Sequence, residues 1–265
     1  YIVEKIHVSG KLIAPIQEIA ELIEIKTGEY ISKSKILQST ENIKARLGEE
    51  GYAFSRINAV PGKTKDDDTV DVNFFIDPGT RAYVRRINIS GNITTQDEVL
   101  RREIRQMEGG WYSSDAITLS KKRLKRLAYI ENVIFEEVRV PGSANKVDLN
   151  VRVKEKLSGN FNIGAGLGGS GTGLSLSAGI EQDNFLGFGS KVAVNVDTGK
   201  TSRNYSFSFF NPYHNLDSVS RSFGFNVQTT KTDNTDTVAD YEADRVGLNY
   251  SYGLPMTENN RFFLE

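Results

Sequence analysis

Cysteine is absent from all 265 residues. The chain therefore has no disulfide, no thiolate nucleophile and no cysteine-ligated zinc, and its redox compartment stays open. Histidine is almost as scarce, occurring only at His7 and His214. The two fall in separate parts of the chain, His7 within a strand pattern, so a structural or exposed role suits them better than metal ligation. No apolar run approaches the ~18 residues that a membrane-crossing helix requires. The first residue is Tyr1 rather than Met and no signal-peptide pattern follows, so the expected object is a piece of a longer precursor.

Net charge is also nearly absent, at −1, but it is unevenly spread. Residues 1–80 carry 10 basic and 13 acidic side chains, residues 81–157 carry 16 and 10, and residues 158–265 carry 7 and 11. The thinning of charge near Ser158 marks a boundary. The expected domains are 1–79, 80–157 and 158–265.

The first two stretches repeat each other. "VEKIHVSG" (Val3–Gly10) aligns with "VRRINISG" (Val84–Gly91), and "KTGEYIS" (Lys26–Ser32) with "MEGGWYS" (Met107–Ser113), both at an offset of 81. "VPG" recurs at Val60 and Val140, and "VDVNFFI" at Val70 recurs as "VDLNVRV" at Val147. Each unit reads as βααββ. A strand pattern (Val3, Ile6, Val8; Val84, Ile87, Ile89) ends in Ser-Gly. Helical spacing follows (Ile16, Ile19, Ala20, Ile23; Val99, Leu100, Ile104, Met107), the second instance opened by the capping signal Thr95-Gln96-Asp97-Glu98. Gly28 and Gly109 then fit helix stops. A second helix (Ile36, Ile43, Leu47; Ile117, Leu124, Leu127) and two β-rich segments close the unit. A three-stranded sheet with helices on one face leaves an edge that could pair with another chain, unless that edge is blocked and the modules are spacers. The run Lys121-Lys122-Arg123-Leu124-Lys125-Arg126 suits either a solvated helix face or contact with anionic headgroups or an acidic partner. It lacks the aromatic platform of a nucleic-acid site, so no nucleic-acid partner is expected.

From Phe161 onward the period becomes two. Phe161, Ile163, Ala165 and Leu167 alternate with Asn162, Gly164, Gly166 and Gly168. Similar runs centre on Leu176, Val194, Phe207, Phe225 and Leu248, and Arg261–Leu264 begins a seventh. One face is apolar and aromatic; the other is Gly, Ser and Asn. That second face suits the lumen of a transmembrane barrel better than the wet face of a soluble sandwich, which remains the alternative. "QDNFLGFGS", "NPYHNLDS" and "LPMTENN" read as turns, while "GGSGTG", "DTGKTSRN" and "TKTDNTDTVADYEADR" read as polar loops. Phe185, Phe188 and Tyr213 lie near turns, where an aromatic girdle would sit. Membrane barrels remove their edges by closing, so six or seven strands imply a truncated barrel or strands supplied elsewhere.

Nucleotide chemistry fails on context. Gly164-Ala165-Gly166-Leu167-Gly168-Gly169 has the G-x-G-x-x-G spacing, but the fingerprint needs a helix after the glycines and here another strand follows. Gly199-Lys200-Thr201 imitates the end of a P-loop, yet Val194 stands where its first glycine belongs. Ser170 fails G-x-S-x-G because Thr172 replaces the last glycine, and Asp66–Asp68 reads as a solvated turn. No catalytic constellation, metal site or cofactor is expected.

"YVRRINISGN", "VLRREIRQMEGGWYSSD", "RVPGS", "VDLNVRVKEKLSGNFNIGAGLG" and "QDNFLGFG" together resemble the BamA family, central subunits of bacterial outer-membrane β-barrel assembly machines. The resemblance covers the whole chain and is densest from Tyr83 to Gly189. It implies two periplasmic POTRA (polypeptide-transport-associated) modules, the fourth and fifth of the family, before an antiparallel transmembrane β-barrel truncated after about six strands. It implies a non-enzymatic insertase in the outer membrane, with residues 1–157 in the periplasm. Its implied partners are BamD-like and other assembly lipoproteins, unfolded outer-membrane β-barrel substrates and the lipid bilayer. The first barrel strand would form a lateral gate and pair with substrate strands along Asn160, Phe161, Asn162, Ile163, Gly164, Ala165, Gly166 and Leu167. The lipoprotein-docking segment is matched by Arg101, Arg102, Arg105 and Glu108, for which ordinary helix-surface ion pairing is the other reading. The runner-up function is a two-partner secretion transporter exporting a protein through its pore.

Overall fold

The computed structural model describes residues 1–64, 68–168, 173–215, 217–232, 241–257 and 260–265. Asp66, Asp67, Gly169, Ser170 and Thr172 lie outside the described residues. No described helix is long and apolar enough to cross a membrane.

The first repeat is β1 (Ile2–Gly10), α1 (Ile16–Glu21), α2 (Lys33–Glu49), β2 (Arg56–Lys63) and β3 (Thr69–Asp77). The second is β4 (Tyr83–Ser90), α3 (Asp97–Arg101), α4 (Ser114–Arg126), β5 (Ile130–Arg139) and β6 (Lys146–Glu155). In each the last strand lies in the middle, giving orders β1-β3-β2 and β4-β6-β5. The sequence explains why. β3 buries Val70, Val72, Phe74 and Ile76 on alternate positions, and β6 buries Val147, Leu149, Val151 and Val153. These are the most apolar faces, and the central position gives them cover from both neighbours and the helices.

The repeat extends to buried polar groups. The Ser39 hydroxyl donates to Lys35 O and accepts from Glu24 N; the Ser120 hydroxyl donates to Ala116 O and accepts from Arg105 N. Both serines are fully buried. Each satisfies a backbone amide of the chain that leads from the first helix towards the second. Ser32 and Ser113 cap the second helices in the same register. The first helices are shorter than their apolar spacing predicts. α3 ends at Arg101, and Met107, expected on its inner face, is 76% exposed. Gln106 is the reason: its side chain donates to Met107 O and Trp111 O and accepts from Ser113 N, tying residues 106–113 into a turn. α3 begins at Asp97, two residues after Thr95, whose amide donates to Glu155 and whose hydroxyl accepts from Asn184.

Contacts divide the chain into two compact units. The first comprises 1–91, 100–127 and 132–154 and joins both small sheets. Its inner junction is polar. Ser114 donates to Ala45 O at 2.7 Å, and Arg81 donates to Glu50 O at 2.6 Å while lying over the Trp111 ring. Gly48 permits the approach, since a Cβ there would fall 2.8 Å from the Ser114 Cβ.

The second unit comprises 92–99, 128–131 and 155–265. Its sheet runs in chain order through β7 (Gly159–Gly168), β8 (Gly173–Phe185), β9 (Ser190–Gly199), β10 (Ser202–Asn211), β11 (Ser220–Thr232), β12 (Tyr241–Pro255) and β13 (Arg261–Leu264), all antiparallel. Registers place like with like. Phe161, Ile180, Val194, Phe207, Phe225 and Leu248 form one row across six strands. On the other face Asn162, Gly179, Asn195, Ser206, Asn226 and Gly247 form another. The apolar face is uncovered: Phe161 is 77% exposed, and Ala193 is the one buried apolar residue of this sheet among those described. Two loops are tighter than expected. β9 and β10 consume most of "DTGKTSRN", leaving Lys200 and Thr201 between them, and Thr230–Thr232 and Tyr241–Arg245 belong to paired strands.

Gly10 and Gly91 end the first strands at φ +102° and +87°, where a Cβ would overlap the backbone carbonyl of Ile76 or Val153. Gly91→Ala is expected to lower unfolding free energy by roughly 1–3 kcal/mol, read from the urea midpoint. An unchanged midpoint would refute this role.

Candidate functional site

β7 is an edge strand. It pairs with β8 from Gly159↔Gln182 to Gly168↔Gly173, and no described strand lies on its other side. All eight expected pairing residues, Asn160 to Leu167, lie within it. Alternate backbone N–H and C=O groups along that side have no ladder partner, which makes the strand a template for another. Its glycines have a packing reason too. Cβ atoms at Gly164 and Gly166 would fall 2.6 and 2.9 Å from the Ser177 and Ser175 hydroxyls. The same device recurs inward, where Gly179 leaves room for the Asn162 and Asn195 amides, and Gly247 for Asn226.

The four charged residues fall at two depths. Arg101 and Glu108 meet, at 3.5 Å, with side chains 44% and 47% exposed. Both also reach β4. The Glu108 carboxylate accepts from Ile87 N at 2.7 Å, and Arg101 donates to Ile87 O at 3.3 Å. The next turn continues the seal, with Val84 N donating to Gly110 O and Gly109 N to Val84 O. Part of the outer edge of β4 is thus closed by its own module. In the first repeat, Val3 N donates to Glu29 O and Gly28 N to Val3 O. Arg102 and Arg105 are half-buried; the Arg105 guanidinium donates to Arg102 O at 2.9 Å. The basic run on α4 divides likewise. Lys121, Lys122, Lys125 and Arg126 are exposed, whereas Arg123 pairs with the buried Glu103 at 2.8 Å.

A third constellation lies in the second unit and was not singled out from the sequence. The Glu155 carboxylate accepts from Ile93 N, Thr94 N and Thr95 N at 3.1, 2.9 and 2.8 Å. Asn184 donates to the Thr95 hydroxyl and accepts from Gly189 N, and Gln96 N donates to Gly187 O. Residues 93–96 are thus clasped between the end of β6 and the β8–β9 turn. That turn holds Asn184, Leu186, Gly187 and Gly189 at positive φ. The density of turn-forming residues in "QDNFLGFG" was the available signal; its partner segment was not legible.

The comparisons with known proteins bear on this geometry. A POTRA family model, described as a surface antigen variable number repeat, matches residues 1–79 and 82–156. An Omp85 superfamily domain matches 184–265. The outer membrane protein assembly factor BamA of Neisseria meningitidis serogroup B is 36% identical over 93% of this chain and 31% of its own length. The BamA of Buchnera aphidicola is 31% identical over 80% of this chain and 34% of its own. A crystal structure of Haemophilus ducreyi BamA lacking POTRA domains 1–3 superposes with a TM-score of 0.81 at 35% identity, covering 99% of this chain and 49% of that one. The chain belongs to the BamA family. BamA proteins reside in the outer membrane with periplasmic POTRA domains, and the repeats and the open antiparallel sheet are the POTRA and barrel-start parts of that architecture. The chain spans about a third of the length of these two curated BamA relatives.

Burial would raise the Glu155 carboxyl, but hydrogen bonds from Thr95, Thr94 and Ile93 outweigh it and hold the group below its ordinary 4.5. Its stabilising contribution is therefore complete above that value and is lost as pH falls through the lower, folded one. Glu155→Gln should lower amide-exchange protection at residues 93–95 near neutral pH. Acidifying the parent through the folded value should lower it too. Protection indifferent to both changes would exclude the carboxylate as the clasp.

Proposed function

We propose that this chain is the part of an outer-membrane assembly factor that hands unfolded β-barrel substrates from the periplasm to the membrane. Residues 1–79 and 80–157 are its fourth and fifth POTRA modules, and 158–265 start its barrel. The observation that carries the reading is β7: an edge strand with one neighbour, beside an apolar face suited to lipid. A substrate strand adds to the free side of Asn160–Leu167, exchanging hydrogen bonds to water for ladder bonds, and is displaced when the gate recloses. The work is non-enzymatic and needs no nucleotide or cofactor. Resemblance to assembly factors supports this reading over secretion of one protein through the pore.

BamD-like lipoproteins dock on the second module near Glu108. Arg101 and Glu108 are the exposed members of the segment, while Arg102 and Arg105 support it from half-buried positions. Glu108 acts as much by shaping this surface as by touching the partner, because its carboxylate holds the Ile87 amide.

Glu108→Lys removes that acceptor and sets a like charge beside Arg101. It should weaken lipoprotein retention in pull-downs roughly ten-fold or more, a loss of at least ~1.4 kcal/mol, with Glu108→Gln intermediate. Unchanged retention removes Glu108 from the docking surface. Cysteines placed one at a time along Phe161–Gly166 should crosslink to a stalled substrate strand in a register-dependent pattern. Crosslinks only from lumen-facing positions, irrespective of register, would sink strand pairing.

A further inference from the structure

Four large apolar side chains of the second unit stand exposed around the clasp. Ile93 is 94% exposed, Leu157 99%, Leu186 71% and Phe188 52%. Ile93 and Leu157 line one shallow pocket, of about 270 Å³. Leu186 and Phe188 belong to the β8–β9 turn, whose Gly187 lies against Thr94, next to Ile93. The four are thus neighbours gathered from three separate stretches of chain.

Their position follows from the chain path into β7. The ladder with β8 begins at Gly159↔Gln182; just before it the Ser158 carbonyl accepts from Asp183 N and the Ser158 hydroxyl donates to Asp183 O. Leu157 thus stands two residues before the start of β7, next to the strand whose apolar face carries Phe161 and Ile163. It sits at the end of the sheet that carries the β8–β9 turn and the exposed Met256 of the β12–β13 turn.

Leu186 adds a conformational argument. It holds φ +53°, a region that branched and bulky side chains disfavour, with little burial in return. Gly or Asn would hold that turn with less strain. The strain is maintained by the Asn184 and Gly187 hydrogen bonds of the clasp, and its product is a leucine aimed outward. The local charge is compatible with headgroups: Lys156 is exposed beside Leu157, and the adjoining Glu155 carboxylate is turned onto three backbone amides.

We propose that Ile93, Leu157, Leu186 and Phe188 form an apolar crest that seats in the phospholipid leaflet at this end of the barrel. The loop 92–96, although it belongs in sequence to the second POTRA repeat, is then a membrane anchor held in place by Glu155 and Asn184. The occupant is phospholipid, because the crest adjoins the sheet whose apolar face the barrel strands turn to the bilayer, at the turn end where interfacial side chains collect. The inference rests on the membrane placement of that sheet.

The test uses the complete outer-membrane protein in phospholipid vesicles. Trp111, the one tryptophan of these 265 residues, is changed to Phe, as is every tryptophan elsewhere in the complete protein. Single tryptophans are then introduced as Ile93→Trp, Leu157→Trp, Leu186→Trp or, as a reference within the barrel, Phe161→Trp. Emission is compared between plain vesicles and vesicles carrying bromines on the acyl chains, close to the headgroup or deep. All four variants should lose emission in brominated lipid, the first three more to shallow bromines than to deep ones. Quenching at Phe161→Trp with none at the crest positions overturns the anchor while leaving the sheet in the membrane. Loss of quenching at all four overturns the sheet's placement and the anchor with it. Shielding of the crest that appears only when lipoproteins are added overturns lipid as the occupant. As an independent check, Asn184→Ala should lower shallow quenching at Ile93→Trp; no change there refutes the clasp as what holds the anchor.

Discussion

A strand at the edge of a sheet presents backbone groups that must find partners, and how each edge here is answered organises the whole chain. In the two small sheets the answer is partly internal. The turn after each first helix folds back on the first strand, at Gly28–Glu29 against Val3 and at Gly109–Gly110 against Val84. In the second module Arg101 and Glu108 extend the seal to both backbone groups of Ile87. In the large sheet β7 pairs with β8 and has no described strand on its other side.

The same economy governs the faces of the large sheet. An aqueous fold would hide Phe207, Phe225 and Leu248 beneath another layer, and this one lines them in register with no described layer above. Lipid is the solvent that makes such a face favourable. The opposite face is filled by pairing amides with glycines: Asn162 and Asn195 lie over Gly179, Asn226 over Gly247 and Asn249 over Gly224. A larger residue at any of these glycines would displace an amide from a neighbouring strand. The Gly/Asn composition therefore records a side-chain registration across strands as much as a preference for a wet lumen.

Much of this was legible in the sequence because it is periodic. Alternation of Phe161, Ile163, Ala165 and Leu167 marks a strand whatever its partner, and the 81-residue offset marks the repeat without a structure. The glycine stretch could be removed from nucleotide chemistry by context alone. What stayed hidden depends on pairs far apart in sequence. Ser39 and Ser120 occupy equivalent repeat positions, yet a serine in a helix carries no sign that it will serve a distant amide. Glu155 reads as one more charge at the end of a strand until the 93–95 amides are seen around it. Helix length failed for a related reason: Met107 keeps the apolar spacing, but Gln106 ties off the turn before the helix can reach it. Loop lengths failed because polar residues such as Thr229 and Asp244 can sit in strands that extend past the apolar band, where they bond to each other.

The two modules share topology but not charge placement, and one turn shows what the difference does. Thr27 stands 81 residues before Glu108, so the first repeat has no carboxylate at the position that plugs the second. Its nearest acid, Glu29, is drawn to Lys35 at 2.6 Å. The shared topology therefore carries different side chains after the first helix: an Arg101–Glu108 pair clamped on β4 in one, a Glu29–Lys35 pair off the strand in the other. Exposed ion pairs contribute little stability by themselves, so the pair in the second module has its main physical effect through the bonds it makes to both backbone groups of Ile87.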